Sequence, residues 1–313
     1  MNNYLITIVG ATAIGKTSLS IKLAQHFNCN IISCDSRQFY KEMSIGTAVP
    51  NKEELLAAKH HFIQNKSIFD NYSVGDFETE AIQLLENLFK KNNIQILVGG
   101  SGLYVNAILK GFDAFPEIDD SIRNKINTDY SLFGITYLQD KLKELDNDYY
   151  EKLEKNNAQT LQNPQRLKRF IEVCIGTQKP YSSFLEKKKT KRNFIPIIIA
   201  LTADREIINS RINERVNKMM IDGLFAEAEK LYKYKTLNAL QTVGYKELFE
   251  YIENKISFED AVENIKSNTR KFAKRQITWF KKTENTKWFN YDTSVNEIIK
   301  YISNEIRNYS IFY

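Results

Sequence analysis

The chain has 313 residues, 42% of them hydrophobic and 26% charged, with a formal net charge of +6 and a sequence pI near 8.9. That is enough apolar material for one large core plus a smaller lobe, and no segment approaches the ~18 consecutive apolar residues of a membrane span, so a soluble globular protein without a membrane partner is expected. Cys29, Cys34 and Cys174 are odd in number and show no C-x-x-C spacing, and His26, His60 and His61 are too few and badly placed for a metal cluster. These features point away from disulfides and zinc and toward a reducing cytoplasm, and the N-terminus shows neither the positive segment nor the apolar stretch of a signal peptide.

The first 115 or so residues alternate apolar runs with helix-periodic segments, as a parallel α/β unit does. The pattern predicts strands over Leu5–Val9, Ile31–Cys34 and Ile94–Val98, and helices over Lys16–His26, Phe77–Lys91 and Leu103–Leu109. A later strand of the same sheet is predicted over Ile195–Leu201. The polar, helix-periodic stretch between them reads as an all-helical insertion, residues 119–193, which leaves 1–118 and 194–313 as the catalytic core with a helical C-terminal part. After Thr202 helices are predicted almost throughout, over Asp204–Met220, Phe225–Lys233, Tyr245–Asn254 and Phe258–Lys282. The fold class is therefore α/β, a phosphate-loop NTPase-like parallel sheet flanked by helices.

Gly10-Ala11-Thr12-Ala13-Ile14-Gly15-Lys16-Thr17 has the spacing G-x-x-x-x-G-K-T between a predicted strand and a predicted helix. Its glycines let the backbone wrap an oxyanion, and successive N–H groups and the helix's positive end point at it. Lys16 adds a cation, and the Thr17 hydroxyl can hold Mg²⁺. The loop alone does not say which phosphate it binds.

Ligands of open parallel sheets bind beyond the carboxyl ends of the strands, and two more segments lie there. Asp35-Ser36-Arg37-Gln38 follows the second strand, and Gly99-Gly100-Ser101-Gly102 follows the Ile94 strand. All three segments are expected to converge on one pocket. Asp35 can coordinate Mg²⁺ through water, accept a proton from an attacking nucleophile, or merely cap a turn. Ser101 is placed either to touch a ligand or to cap a helix. The Ile94–Val98 strand ends in glycines, without the acid through which phosphate-loop ATPases hold magnesium, and this weakens an ATPase reading.

The cations bunch into two runs, Lys187, Lys188, Lys189, Lys191 and Arg192, and Arg270, Lys271, Lys274, Arg275, Lys281 and Lys282. Either run alone suits a solvated face. The second is interleaved with Phe272, Trp279 and Phe280, and cations with flat rings are what RNA requires of a partner.

Taken in order, Gly10–Thr17, Asp35–Gln38 with Tyr40, Ile45–Ala48 with Pro50, Gly99–Tyr104, Asn163–Arg166, Val243–Glu247 and Lys274–Phe280 resemble the bacterial tRNA dimethylallyltransferases, also called tRNA isopentenyltransferases. The resemblance runs from the first strand to about Trp288. It implies transfer of a dimethylallyl group from dimethylallyl diphosphate to the exocyclic amine of the adenine 3′ of the anticodon, with release of diphosphate. By the same resemblance Gly10 to Thr17 hold the diphosphate with Mg²⁺, Thr17 and Arg215 assist its departure, and Asp35 orients the amine and takes its proton. Arg215 is assigned from an R-x-x-x-M segment with Met219 ahead of Gly223-Leu224; by itself it reads as a solvated helix residue.

The tRNA anticodon stem-loop is implied to contact Asp35, Ser36, Arg37, Gln38, Ser101, Arg123, Gln165, Arg166, Leu167, Lys168, Arg169, Gln241, Thr242, Val243, Gly244, Tyr245 and Lys246. Lys274, Arg275, Gln276, Ile277, Thr278, Trp279, Phe280 and Lys281 complete that set. The adenine must leave its stack to be reached. Departures from the family's usual pattern are Ala11 for Pro, Ile14 for Ser and Ser101 for Thr, and none removes a charge or a needed hydroxyl. One channel in one chain makes a monomer the expectation. A nucleoside kinase would share the loop and Asp35 without needing Arg270–Phe280. A prenyltransferase of free adenine nucleotides would lack most RNA-gripping segments, and an RNA-binding protein without activity would have no use for Lys16, Thr17, Asp35 and Ser101 together.

Overall fold

The computed structural model describes residues 2–111, 115–185 and 191–312. The chain divides into two compact units, Met1–Gly111 with Lys191–Tyr313, and Phe112–Thr190. The first unit opens with strand β1 (Tyr4–Gly10), helix α1 (Lys16–Phe27), strand β2 (Ile31–Ser33), helix α2 (Lys52–Ala57), strand β3 (His60–His61), helix α3 (Val74–Phe89), strand β4 (Ile94–Val98) and helix α4 (Gly102–Lys110). The second unit contributes helices α5 (Asp120–Leu145), α6 (Asn147–Asn157) and α7 (Pro164–Thr177). The first then resumes with strand β5 (Ile195–Thr202), helices α8 (Arg205–Ile221), α9 (Leu224–Leu231), α10 (Tyr245–Ile252) and α11 (Phe258–Phe280), strand β6 (Thr286–Asn290) and helix α12 (Val295–Phe312).

The six strands form one parallel sheet in the order β3-β2-β4-β1-β5-β6. β1 sits between β4 and β5 and is buried along its whole length, which is why its sequence is apolar but for Thr7. Its alternate side chains feed two cores. Tyr4, Ile6 and Ile8 join Leu19, Leu23, Ile212 and Ile302 on one face, whereas Leu5 and Val9 join Phe77, Leu85, Ile108 and Phe280 on the other. Burial of this kind stabilises by about 1.5–3 kcal/mol for each large side chain.

Three features correct the sequence reading. The chain after Thr202 is not helical throughout, because β6 pairs with β5 from Ile198↔Thr286 to Thr202↔Asn290 and extends the sheet by an edge strand. Of its five residues, Thr-Lys-Trp-Phe-Asn, Phe289 alone is buried, so the strand carries little apolar signal. A two-residue strand, His60–His61, closes the opposite edge. Helix α2 was also unforeseen, yet Asn51 and Glu54 form a capping box around its start.

In the second unit, α5 is broken at Gly134, whose φ of 72° and ψ of −162° no helix accommodates. Leu138, Leu142, Leu167 and Ile171 form its core with no exposed surface. Asp146 closes that unit's turns, its buried carboxylate accepting from the Tyr149 and Ser182 backbone N–H groups and from the Ser182 hydroxyl.

Candidate active site

Helix α1 begins directly behind the phosphate loop. Its N-cap, Gly15, adopts a left-handed φ of 108° and makes no side-chain cap, so the first-turn N–H groups face the cavity ahead of them. Ile14, the bulky departure from the usual pattern, turns into the core with 2% exposure and anchors the loop there. The Lys16 ammonium lies along the loop, donating to the carbonyls of Gly10 at 3.0 Å and Ala11 at 2.6 Å. Burial brings it down to about 8, against the opposing attraction of Asp35.

Two further cations reach the same loop from α8. Arg211 donates through Nε to the Ala13 carbonyl at 2.8 Å, and Arg215 donates to the Thr12 hydroxyl at 3.3 Å. The Arg215 guanidinium is lowered by burial and pulled the other way by Asp35, so it sits within electrostatic reach of that carboxylate. Arg215 is therefore not the solvated helix residue that its sequence alone allows. Arg211, one turn earlier, was missed; its only sequence signal is the i,i+4 spacing to Arg215.

Two cavities meet at this point. The smaller, of about 280 Å³, is lined by Thr12 to Ser18, Ser33, Asp35, Gly99, Arg211 and Arg215. The larger, of about 780 Å³, is lined by Ser36, Arg37, Gly100, Ser101, Tyr104, Val243 and Trp279 among others. Thr12, Asp35, Arg215, Phe272 and Gln276 belong to both. The three strand-end segments thus converge on a pair of joined cavities rather than on one.

Asp35 occupies the junction. Its Oδ1 accepts from the Arg37 backbone N–H at 3.1 Å, so the turn-capping role is real and coexists with exposure to both cavities. Ser101 stands at the start of α4 without capping it; its hydroxyl accepts from the Ser36 N–H and pairs with the Ser36 hydroxyl, each at 3.2 Å. Oxygen donors around Thr17, Ser33 and Asp35 fit Mg²⁺, which takes one or two protein oxygens and completes its shell with phosphate and water. Among the described residues no three His, Cys, Asp or Glu side chains gather into a closed metal cage.

Several residues expected at RNA have side chains committed within the protein. The Arg37 guanidinium donates to the carbonyls of Asn238 and Ala239, and the Gln38 amide to those of Thr47 and Ala48. Gln276 is 6% exposed and bonds to Thr12 and Gly100. Leu167, Tyr245 and Phe280 are core residues, and Gly244 is buried with its N–H donating to Glu247. On α7, α10 and α11 the periodicity of a helix puts Leu167, Tyr245, Gln276 and Phe280 inward whatever the motif. Lys274, Arg275, Thr278, Trp279 and Lys281 are exposed on α11 and just after it, as are Gln241 and Lys246, with Thr242, Val243 and Ile277 partly so.

In the second unit Gln165 and Arg166 are exposed and Lys168 lies over the Tyr130 ring, while Arg123 and Arg169 share the buried carboxylate of Glu172. Of the first basic run, Lys187, Lys188 and Lys189 lie outside the described residues. Arg192 is not a solvated cation: it pairs with Glu78 and donates to the carbonyls of Ala107 and Ile108 at the end of α4.

Sequence reasoning also missed Glu227 on α9. Its carboxylate accepts from the backbone N–H groups of Ser44, Ile45 and Gly46 at 2.9–3.0 Å and from the Tyr245 phenol at 2.6 Å. Gly46 and Thr47, which line the larger cavity, are held in place this way.

The chain is similar along nearly its whole length to known proteins. The tRNA dimethylallyltransferase of Flavobacterium johnsoniae is 66% identical over 305 residues, covering 97% of this chain and 99% of its own. The crystal structure of the Bacillus halodurans tRNA isopentenylpyrophosphate transferase superposes with a TM-score of 0.72 at 33% identity, covering 98% of each chain. A eukaryotic dimethylallyltransferase acting on tRNA reaches a TM-score of 0.81 at 26% identity, covering 98% of this chain and 80% of that one. The IPP transferase model matches residues 38–283, and the chain belongs to the IPP transferase family.

Proposed function

We propose that this protein transfers a dimethylallyl group from dimethylallyl diphosphate to the exocyclic amine of the adenine 3′ of the anticodon in tRNA and releases diphosphate. The observation that carries the reading is the position of Asp35 in the wall shared by a small cation-lined cavity and a larger one with exposed aromatic rings. A donor whose diphosphate lies on the phosphate loop and an acceptor base entering from the larger cavity meet at that carboxylate.

The residues divide the work. Lys16, Arg211 and Arg215 with the first-turn N–H groups of α1 stabilise negative charge on the departing diphosphate as the allylic C–O bond breaks. Mg²⁺ would be held by the Thr17 hydroxyl beside the loop and would supply further charge neutralisation to the diphosphate. Asp35 orients the adenine amine, whose lone pair is delocalised into the ring, and accepts its proton as the C–N bond forms. Phe272 and Trp279, 39% and 37% exposed, offer faces on which an unstacked base can lie. The exposed cations of α11, with Gln165, Arg166 and Lys168 in the second unit, take tRNA phosphates. The protein acts as a monomer, because one chain supplies every side chain assigned to the reaction, and its free, buried Cys29, Cys34 and Cys174 suit the reducing cytoplasm.

The experiment supplies labelled dimethylallyl diphosphate and an unmodified tRNA transcript in one arm, and labelled ATP with a free nucleoside in the other. Label on the anticodon-loop adenine of the tRNA is expected. Label that stays on the donor while ATP turns over against the nucleoside would replace this reading with a kinase.

A further inference from the structure

Within the exposed, basic stretch from Lys274 to Lys281, Gln276 and Phe280 face inward with Ala273 at the helical spacing of three and four. The Gln276 side chain bridges two loops. Its Oε1 accepts from the Thr12 backbone N–H at 2.8 Å and its Nε2 donates to the Gly100 carbonyl at 3.0 Å. Gly100 makes room for it, since a Cβ there would lie 2.2 Å from Nε2 and 3.8 Å from the Lys16 ammonium. A carboxamide offers one acceptor and one donor in a fixed plane, which neither a carboxylate nor an apolar side chain can reproduce.

Thr12 is itself the residue whose hydroxyl receives Arg215. From these contacts we infer that Gln276 is a positioning residue for the diphosphate, acting through Thr12 and Gly100, and not a contact to RNA. By fixing the Thr12 backbone it sets both the opening of the phosphate loop and the direction from which Arg215 approaches it. The exposed neighbours Lys274 and Arg275 on the same helix keep the RNA-facing role. This assignment rests on the reading of the loop as a diphosphate site.

The test compares full-length Gln276→Met with Arg275→Ala. Two affinities are measured for each: inorganic diphosphate with Mg²⁺ by calorimetry, and an unmodified anticodon stem-loop across a salt series. Gln276→Met is expected to weaken diphosphate about tenfold and to raise KM for the allylic donor, as loss of a buried hydrogen-bond bridge does, while leaving RNA affinity within about twofold and its salt slope unchanged. Arg275→Ala is expected to do the reverse. RNA binding that falls in Gln276→Met with diphosphate binding intact would overturn the assignment.

If the methionine variant does not fold, Gln276→Asn adds no charge and keeps the carboxamide, but is one methylene too short to bridge Thr12 and Gly100 together. Weaker diphosphate with unchanged RNA binding supports the inference there too, and unchanged diphosphate affinity sinks it. Diphosphate binding needs no transfer chemistry. A wild-type protein that binds diphosphate yet prenylates nothing would therefore refute the proposed reaction while leaving this assignment standing.

Discussion

The guanidinium of Arg215, on α8, donates to the hydroxyl of Thr12, in the phosphate loop, at 3.3 Å across 203 residues of chain. The contact places a buried cation beside the loop, with Asp35 within electrostatic reach. A guanidinium can bridge two diphosphate oxygens where an ammonium is a point charge. Arg215→Lys is therefore expected to lower kcat by about tenfold and Arg215→Ala by about 10² or more, the scale of a lost charge stabiliser in a transition state. Steady-state kinetics with saturating tRNA would show it; wild-type kcat in Arg215→Ala would remove Arg215 from the chemistry.

Lys16 gives a pH dependence whose sign is fixed. Its folded value of about 8 lies below its ordinary 10.5 because burial disfavours the charged form. Between those two values the unfolded chain holds more protons than the folded one, so this group makes stability rise with pH across that window. Anion binding runs the other way, since only the protonated amine attracts diphosphate. Diphosphate affinity in the wild type is expected to fall as pH rises through about 8, and Lys16→Met is expected to bind weakly with that step absent. A step of unchanged size in the methionine variant would assign the titration to another group.

Glu227 supports the wall of the larger cavity by accepting from three consecutive N–H groups and from Tyr245. Tyr245→Phe removes one of these bonds and is expected to cost about 1–2 kcal/mol in urea unfolding. Glu227→Leu leaves three backbone donors and a phenol without their acceptor and is expected to cost roughly 3 kcal/mol or more. Equal losses in the two variants would mean that the carboxylate does not organise the loop.

Exposed cations on α11 carry a prediction that separates surface from site. Lys274→Ala and Arg275→Ala are each expected to weaken tRNA binding and to reduce the slope of log affinity against log salt by about one, the value for one lost phosphate contact. Affinity for the allylic donor should not move. An unaltered salt slope would make these residues a solvated face.

What the sequence revealed followed from how local each signal was. β1, β4 and β5 are largely apolar runs, and the phosphate loop is eight consecutive residues in a strand–helix context, so both were readable. β6 was not, because a five-residue edge strand with one buried side chain lacks a period that a helix-rich stretch would not also produce. The break in α5 rests on one glycine whose conformation only the folded chain reveals. Within the site, Asp35 and Ser101 stood out by following strand ends, whereas Arg211 and Glu227 act on loops 198 and 183 residues away, and nothing local beyond the spacing of Arg211 to Arg215 marks them. Gln276 shows the limit from the other side: a motif names a stretch, and only helical phase decides which of its members turn inward.

The central claim is that the carboxylate of Asp35 serves both cavities, as the base for an amine attacking an allylic diphosphate. A single-turnover measurement with Asp35→Ala, both substrates bound at saturation, tests it most directly. The account expects affinities for tRNA and donor close to wild type and a rate of dimethylallyl transfer lower by roughly 10² or more, the scale of a lost general base. Transfer at the wild-type rate in that variant would contradict it.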